Sequence, residues 1–559
     1  TNSELERAKA EMLTEYETDY NERNNQRNID LTRDYIRHYL DKTCTPGIEW
    51  EFQMLQVMLP QINIELLNRL AQNYVIDNNL IISFTAPEKE TVKLPTKEEA
   101  LAQLADVKAM ELTAPKEETI DKKLVTKTPK RGKIKVATTN KSLGTTEWTL
   151  SNGVKVIIKP TTFKKDEILL TGFSRGGLSK IEKTNDLLSA MFAVHLITSS
   201  GIGNFTAIEL EKYLAGKNVS VAPEINSFSE ELNGNSSVKD FETMLQLVYL
   251  YFTAPRKDDE AIQAQMNIYK TVLANKESNP KAIFGDSIQM TMSNHHPRTI
   301  LLNIDMLTKV DADKALTIYK ERFATPADFT FMLVGNIDPN DPATKKLICT
   351  WIGGLKSKKV HENFIDHGVR TPKGKVLNYF EREMQTHTAS NRIAYTGEMK
   401  YNLTNKLNMD AIGRILDIRY LESIREREGG SYGVGVAGFV SDKPTEQATL
   451  LMQFDTDPEK QTKLMEIIHQ EVAEIVKDGP RMDDLIKVKE SMLKDFAEDI
   501  EKNNWWQNTA LYNFYINNID YYNDYKAAVT AISSESIKAT LTKLVEQGNV
   551  VEVVMSPKQ

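Results

Sequence analysis

Three times along the chain the apolar and polar positions repeat one order: an apolar turn, a polar residue, an amphipathic helix and a short apolar run. The first copy is Leu59-Pro-Gln-Ile62-Asn63, then Leu66, Leu67, Leu70 and Tyr74 at helical spacing, then Leu80-Ile-Ile-Ser-Phe84. The second is Leu307-Thr-Lys-Val310-Asp311, then Ala315, Ile318 and Tyr319, then Phe329-Thr-Phe-Met-Leu-Val334. The third is Val529-Thr-Ala-Ile532-Ser533, then Ile537, Leu541 and Leu544, then Val550-Val-Glu-Val-Val554. Spacings of three and four predict the helices, and short β-branched runs predict the strands. Asn63, Asp311 and Ser533 are predicted N-caps, whose side-chain oxygens accept backbone N–H groups that a first helical turn leaves unpaired. One helix-then-strand unit carries little information. Three in one chain, each closing an apparent domain, predict a duplicated α+β domain.

The same pattern sets the boundaries. Ser3 reads as an N-cap followed by Leu5, Ala8, Met12 and Leu13, so the chain opens on a helix, with Thr rather than Met at position 1. Residues 1–88 therefore read as the back end of a domain whose front lies elsewhere. Residues 89–142 are rich in Lys, Glu, Thr and Pro, contain no aromatic residue, and read as a linker. A complete domain is expected over 143–370. It opens with Trp148-Thr-Leu-Ser-Asn152-Gly153-Val-Lys-Val-Ile-Ile158, where Asn-Gly between apolar alternations predicts a hairpin. A strand from Ile168 to Phe173 follows, ending at Gly176-Gly177. A last domain is expected over 371–559. Hairpins mixed with amphipathic helices, without regular βαβ alternation, predict antiparallel sheets covered by helices.

Composition narrows the function classes. At 559 residues the chain exceeds one hydrophobic core, and 40% hydrophobic with 26% charged residues is an ordinary globular balance. A net charge of −8 argues against a nucleic-acid partner, which needs a basic face. The basic stretch Lys122 to Lys135 reads as a solvated tether. No apolar run approaches the roughly 20 residues that span a bilayer. Two cysteines, Cys44 and Cys349, make neither a disulfide framework nor a cysteine metal site, and leave the compartment open.

The most unusual local sequence is Leu421-Glu-Ser-Ile-Arg425-Glu-Arg-Glu-Gly429-Gly430-Ser431-Tyr432-Gly433-Val-Gly435-Val-Ala-Gly438-Phe439. Leu407, Ala411, Ile412, Ile415, Leu416 and Leu421 predict a helix ending near Arg425. After the glycine pair a strand is expected, with Tyr432, Val434 and Val436 on one face and Gly433, Gly435 and Ala437 on the other. Clustered glycines there suggest close approach by another backbone. A tyrosine hydroxyl beside an arginine fork suits a peptide carbonyl or a developing oxyanion. A glycine-relieved bend with a surface arginine is the alternative.

Arg425 and Tyr432, seven apart across an acidic, glycine-containing turn, resemble the Arg…Tyr motif in the last domain of pitrilysin and insulin-degrading family zinc peptidases. Leu150-Ser-Asn-Gly-Val-Lys-Val-Ile157, with Gly176-Gly177 downstream, is similar to the opening of that family's domains. The resemblance covers essentially the whole chain, as the carboxy-terminal half: the end of the second domain, then the third and fourth. It implies that Arg425 and Tyr432, with Gly430 and Ser431 between them, bind substrate, and that the first two stabilise the tetrahedral intermediate. The family's zinc motif, His-x-x-Glu-His, occurs nowhere in this sequence. Met191, Val194 and His195 stand at its three functional positions in the third domain, so that domain reads as a degenerate duplicate and His195 as a core histidine. His295-His296 reads as a loop, because neighbouring side chains diverge. Trp505-Trp506, Tyr512 and Tyr521-Tyr522 read as core and inter-domain packing.

The resemblance thus implies a metalloendopeptidase that degrades peptides or unfolded segments in a closed chamber. Zinc would be held by an amino-terminal half of the same polypeptide, no metal ligand would lie in this chain, and this chain alone would be inactive. The alternative within the family is a non-catalytic peptide-binding or assembly subunit.

Overall fold

The polar residues that close the three repeated turns do cap helices in the computed structural model, which describes residues 1–74, 80–86, 92–111, 113, 120, 122–358, 361–431 and 433–558. Asn63 accepts the N–H of Leu66 at 2.9 Å, Asp311 that of Lys314 at 2.9 Å, and Ser533 that of Ser536 at 3.2 Å. The helices they open are Ile64–Ala71, Ala312–Arg322 and Ser534–Val545. At the start of the chain the cap is Thr1 rather than Ser3: Thr1 and Glu4 satisfy each other's backbone donors in a capping box.

The chain divides into two compact units, Thr1–Lys123 with Glu211–Lys217, and Leu124–Leu210 with Asn218–Gln559. The first unit is helical. Helix Asn2–Asn21 meets helix Ile48–Met58 through stacked Tyr20 and Phe52 rings, 5.1 Å apart. Helix Asn28–Asp41 buries none of its residues and exposes Tyr35, Ile36, Tyr39 and Leu40. The strand expected at Leu80-Phe84 does not form. Residues 80–86 are irregular and Leu80, Ile81, Ile82 and Phe84 are exposed, because no described strand offers them a ladder of hydrogen bonds.

The second unit holds two sheets. The strands of the first are β1 (Ile134–Asn140), β2 (Thr145–Leu150), β3 (Lys155–Pro160), β4 (Ile168–Arg175), β5 (Val219–Ile225), β6 (Ser229–Ser236) and β7 (Thr330–Gly335), in the order β1-β2-β3-β7-β4-β6-β5. The second comprises β8 (Lys375–Arg382), β9 (Ala389–Glu398), β10 (Gly435–Ser441), β11 (Gln447–Thr456) and β12 (Val550–Pro557), in the order β10-β11-β9-β12-β8. Five strands of each sheet follow the same connectivity. The first and last strands pair in parallel, β3 with β7 and β8 with β12, while the last strand pairs antiparallel with the next, β4 or β9. The fold is thus α+β and duplicated, with sheets that are mixed by virtue of one parallel pair each.

Two local expectations change. Residues 134–140, assigned by composition to the linker, form the edge strand β1 on β2, and Leu124 is buried. Five of the seven β1 residues are exposed, so their polarity is that of an edge rather than of a tether. The Asn152-Gly153 hairpin turns through three residues, with Gly153 alone at positive φ (+95°) and Asn152 donating instead to the carbonyls of Ile352 and Leu355.

Helices cover the second sheet through one apolar core. Ile393, Leu450 and Met452 meet Leu407, Ile412, Ile415, Ile468, Leu541 and Leu544. On the first sheet, Ile157, Phe173, Met332 and Val334 receive Trp506, Ala510, Leu511 and Ile516 from the segment between β11 and β12. This is the packing role expected of Trp505-Trp506 and Tyr512. Lys159 lies 3.8 Å from the centre of the Trp506 ring and donates to the Leu143 carbonyl at 2.6 Å, so the cation is paired where it is buried.

One polar chain crosses the second core. The Tyr395 hydroxyl meets His469 Nδ1 at 2.6 Å, His469 Nε2 meets Glu552 at 3.1 Å, and the Tyr379 hydroxyl donates to the other Glu552 oxygen. Burial pushes the Glu552 carboxyl up, but the hydrogen bonds from His469 and Tyr379 outweigh it and hold the group below its ordinary value of 4.5. A depressed folded pKa contributes stability above the ordinary carboxyl range, and that contribution is lost as pH falls through the folded value. Glu552→Gln should therefore flatten the acid limb of a stability–pH profile measured by urea denaturation; an acid limb identical to that of the unchanged protein would remove Glu552 from it.

Candidate functional site

Helix Leu403–Tyr420 is opened by Asn402, which accepts the N–H of Asn405 at 2.9 Å, and runs on into a π-helical turn, Leu421–Arg427. Wide turns of this kind are uncommon and often mark functional segments. Arg425 stands on this turn, its carbonyl accepting the Gly429 N–H at 3.2 Å and its exposed guanidinium without a hydrogen bond or ion pair to any described residue. The helix therefore ends two residues later than its apolar spacing predicts, and in a different winding.

The loop that follows is anchored at each step. The Gly430 N–H donates to the Ile424 carbonyl at 3.2 Å, and its own carbonyl accepts the Thr456 hydroxyl at 2.5 Å. A side chain at Gly430 would meet the Leu464 methyls at 2.7 Å, so anything larger than glycine there requires Leu464 to move. The Ser431 hydroxyl lies 2.7 Å from the Asp455 carbonyl and 3.0 Å from that of Gly433. Lys460 reaches the carbonyls of Glu428 and Gly429, and Lys463 pairs with Glu428 at 2.5 Å. Gly430 and Ser431 thus hold the loop to β11 and its succeeding helix, with their polar groups committed inside the protein. Tyr432 lies outside the described residues.

Beyond the loop, Val434 is buried and Val436 half-buried, while Gly433, Gly435 and Ala437 face outward, in the expected alternation. The close backbone approach is elsewhere. Around Gly433 there is open space, whereas a Cβ at Gly438 would sit 2.0 Å from the Met409 carbonyl oxygen and one at Gly413 would sit 2.9 Å from the Gly438 nitrogen. Helix and edge strand touch at Gly413 and Gly438. A groove of about 720 Å³ runs beside β10, lined by Asp410, Arg414, Asp417, Phe439, Lys487 and Ser491 among others. Arg414 bridges Asp410 at 3.2 Å and Asp495 at 2.6 Å; burial pushes the Asp410 carboxyl up while Arg414 pulls it down. Sequence reasoning missed this groove, although Asp410 and Arg414 carry the i, i+4 spacing of a helical ion pair.

The positions matching the family's zinc motif lie on helix Thr184–Ser199. Met191 and Val194 are half-buried. His195 is exposed, its ring 6.0 Å from that of Tyr269, which corrects its reading as a core residue: it sits on the solvent side of the helix stripe formed by Phe192, Ala193, Leu196 and Ile197. A thioether and an isopropyl group lack the basic donors that zinc takes. Among the described residues no three His, Cys, Asp or Glu side chains converge on a point that could hold a metal ion. Met191 and Val194 therefore do not fit a zinc centre at these positions. His295 and His296 fall in a turn, with His295 at φ +53° and His296 Nδ1 accepting the Arg298 N–H. No described helix is long and apolar enough to cross a membrane.

Comparison with known proteins agrees with this architecture. Residues 309–492 match the family described as peptidase M16 inactive domain. A zinc protease PQQL-like protein of Arabidopsis thaliana is 27% identical over 524 residues, covering 90% of this chain and 51% of that protein. The probable zinc protease PqqL of Escherichia coli is 22% identical over 361 residues, covering 64% of this chain and 37% of its own length. The crystal structure of the periplasmic protease PqqL from Escherichia coli superposes on the whole chain with a TM-score of 0.69 at 18% identity, over 61% of that structure. The chain is a member of the M16, pitrilysin-like peptidase family. Within it the chain is a relative of the PqqL-like zinc proteases, of which it spans about half the length or less in the sequence matches.

The Gly413–Gly438 contact yields a stability test. Gly438→Ala should cost about 1–3 kcal/mol in urea denaturation, the range for overpacking a filled site. Gly433→Ala, in open space, should stay within about 0.5 kcal/mol. Equal losses at the two positions would contradict the assignment of the close approach.

Proposed function

We propose that this chain is the carboxy-terminal half of a zinc-dependent metalloendopeptidase that degrades peptides in a closed chamber, and that it contributes substrate-binding and oxyanion-stabilising groups rather than the metal. The observation that carries this reading is Arg425, an exposed guanidinium with no partner among the described residues, on a π-helical turn leading into an anchored glycine loop. An arginine fork left open in this way suits a carbonyl or carboxylate brought by another molecule. The partial span of the zinc protease relatives, and the absence of His-x-x-Glu-His, support assigning zinc and general base to an amino-terminal half of the same polypeptide. Tyr432 is given a role alongside that of Arg425 by the family resemblance alone. Exposed apolar residues on helix Asn28–Asp41 and at 80–84 support the reading of residues 1–88 as the back end of a domain completed by that half.

On this reading an amino-terminal half would hold the zinc, which would supply an activated water when bound. Arg425 and Tyr432 orient the scissile peptide and donate to the oxygen on which charge develops, which accelerates the reaction only as far as those bonds strengthen in the transition state. A second reading, a non-catalytic peptide-binding or assembly subunit, draws on the match to a domain described as inactive. It requires that the amino-terminal half also lack His-x-x-Glu-His.

In the polypeptide that carries both halves, Tyr432→Phe and Arg425→Ala should each lower kcat by about 10²–10³, the range for losing one oxyanion donor, with zinc content unchanged. Unchanged hydrolysis of a quenched fluorescent peptide would remove those residues from the mechanism.

A further inference from the structure

A second cavity, of about 490 Å³, opens against β4 and β6 and is roofed by the π-helical turn Trp506–Leu511. Its polar lining is Thr171, Glu231 and Asn233 on the sheet side, with Gln507, Asn508 and Tyr512 opposite. Strand alternation explains the sheet side: Leu232 is fully buried in the core, so Glu231 and Asn233 point the other way. The turn is fixed by its neighbours, since Trp506, Ala510 and Leu511 are buried against Phe173 and Met332.

Two groups here face the cavity without a hydrogen bond to a described residue. Gln507 is only 7% exposed, yet its amide makes no hydrogen bond to a described residue. Its amide nitrogen and oxygen are not sealed from solvent but open to the cavity, where a guest's polar groups can reach them. The Tyr512 hydroxyl is likewise without a hydrogen bond to a described residue, and burial pushes its phenol up, so it stays protonated. The remaining groups are partly committed. Ser229 donates to one Glu231 oxygen at 2.7 Å and leaves the other free, while Thr171 and Asn233 bond each other at 3.1 Å.

The chemistry of the lining selects the guest. No lysine or arginine lines the cavity, and the nearby Arg175 guanidinium donates to the Ile516 carbonyl at 2.6 Å, so an anion would face the Glu231 carboxylate. An apolar group would leave Gln507 unpaired. A cation on a flexible stem satisfies both: its N–H donors reach the free Glu231 oxygen and the amide oxygens of Gln507 and Asn508, and its stem lies along Tyr512. We propose that this cavity is a subsite for a basic side chain, arginine or lysine, of a bound peptide. The peptide as carrier of that side chain rests on the proposed function; the charge preference rests on the cavity itself.

The test is an NMR titration of the 559-residue chain with three capped tripeptides, Ala-Arg-Ala, Ala-Lys-Ala and Ala-citrulline-Ala. Arginine and lysine peptides should saturate at least tenfold more tightly than the neutral citrulline peptide. Glu231→Gln should reduce their binding at least tenfold, to the citrulline level. Gln507→Met, which keeps the volume and removes the amide, should reduce it at least threefold and serves where Glu231→Gln fails to fold. Citrulline binding as tightly as arginine, no saturable binding by the folded chain, or unchanged binding in both variants would overturn the subsite. Because no hydrolysis is measured, its failure is distinct from failure of the peptidase reading.

Discussion

The insertion of the last strand into the middle of each sheet is the constraint on which the rest of the structure depends. β7 enters between β3 and β4, and β12 between β8 and β9, so each sheet is continuous only after its final strand has arrived. The inserted strands are among the most buried segments of the chain, with Phe331, Leu333, Val551 and Val553 at 1% exposure or less. Parallel pairing between the two ends of a domain carries a large loop-closure cost before any contact repays it. The capped helices Ala312–Arg322 and Ser534–Val545, lying just before the inserted strands, bring them to that position. With the centre filled by the ends of the domain, the middle of the sequence supplies the edge, and β10 with its preceding loop comes to the outer side of the second sheet.

The proposed substrate-binding residues lie at that edge. Buried or half-buried arginines elsewhere are engaged: Arg322 with Glu230 and Glu362, Arg419 with Glu471 and Glu474, Arg414 with Asp410 and Asp495. Such pairs offset the cost of desolvating their charges. Arg425 has no such partner among the described residues and stands on a turn of unusual winding whose following loop is pinned by Thr456, Ser431 and Lys460. A rigid support beneath a free guanidinium is the arrangement that positions a group for something outside the chain. The cavity at Glu231 and Gln507 likewise presents polar groups, one Glu231 oxygen and the Gln507 amide, with no hydrogen bond to a described residue.

What could be read from the sequence was local. Asn63, Asp311 and Ser533 were legible because a cap needs only its own helix, and β3, β4, β7 and β12 because apolar alternation is written into consecutive residues. β1 was not legible: an edge strand with exposed, polar positions has the composition of a linker. Leu80-Phe84 has the composition of a strand, but a strand is made by its neighbour, and no described strand pairs with it. The π-helical turns at Leu421–Arg427 and Trp506–Leu511 have no side-chain signature, since they differ from an α-helix only in which carbonyl each N–H reaches. The contact of Gly413 with Gly438, and the meeting of Glu231 with Gln507, join residues far apart in the chain. His195 shows the same limit: apolar neighbours in sequence did not reveal which side of its helix meets solvent.

The division of labour between halves is tested most directly by measuring zinc content and peptide hydrolysis side by side, on this chain and on the complete translation product of its gene. The expected result is stoichiometric zinc with chelator-sensitive cleavage in the complete product, and neither in this chain alone. Chelator-sensitive cleavage by this chain alone, or a folded, zinc-loaded complete product that cleaves no peptide, would contradict it.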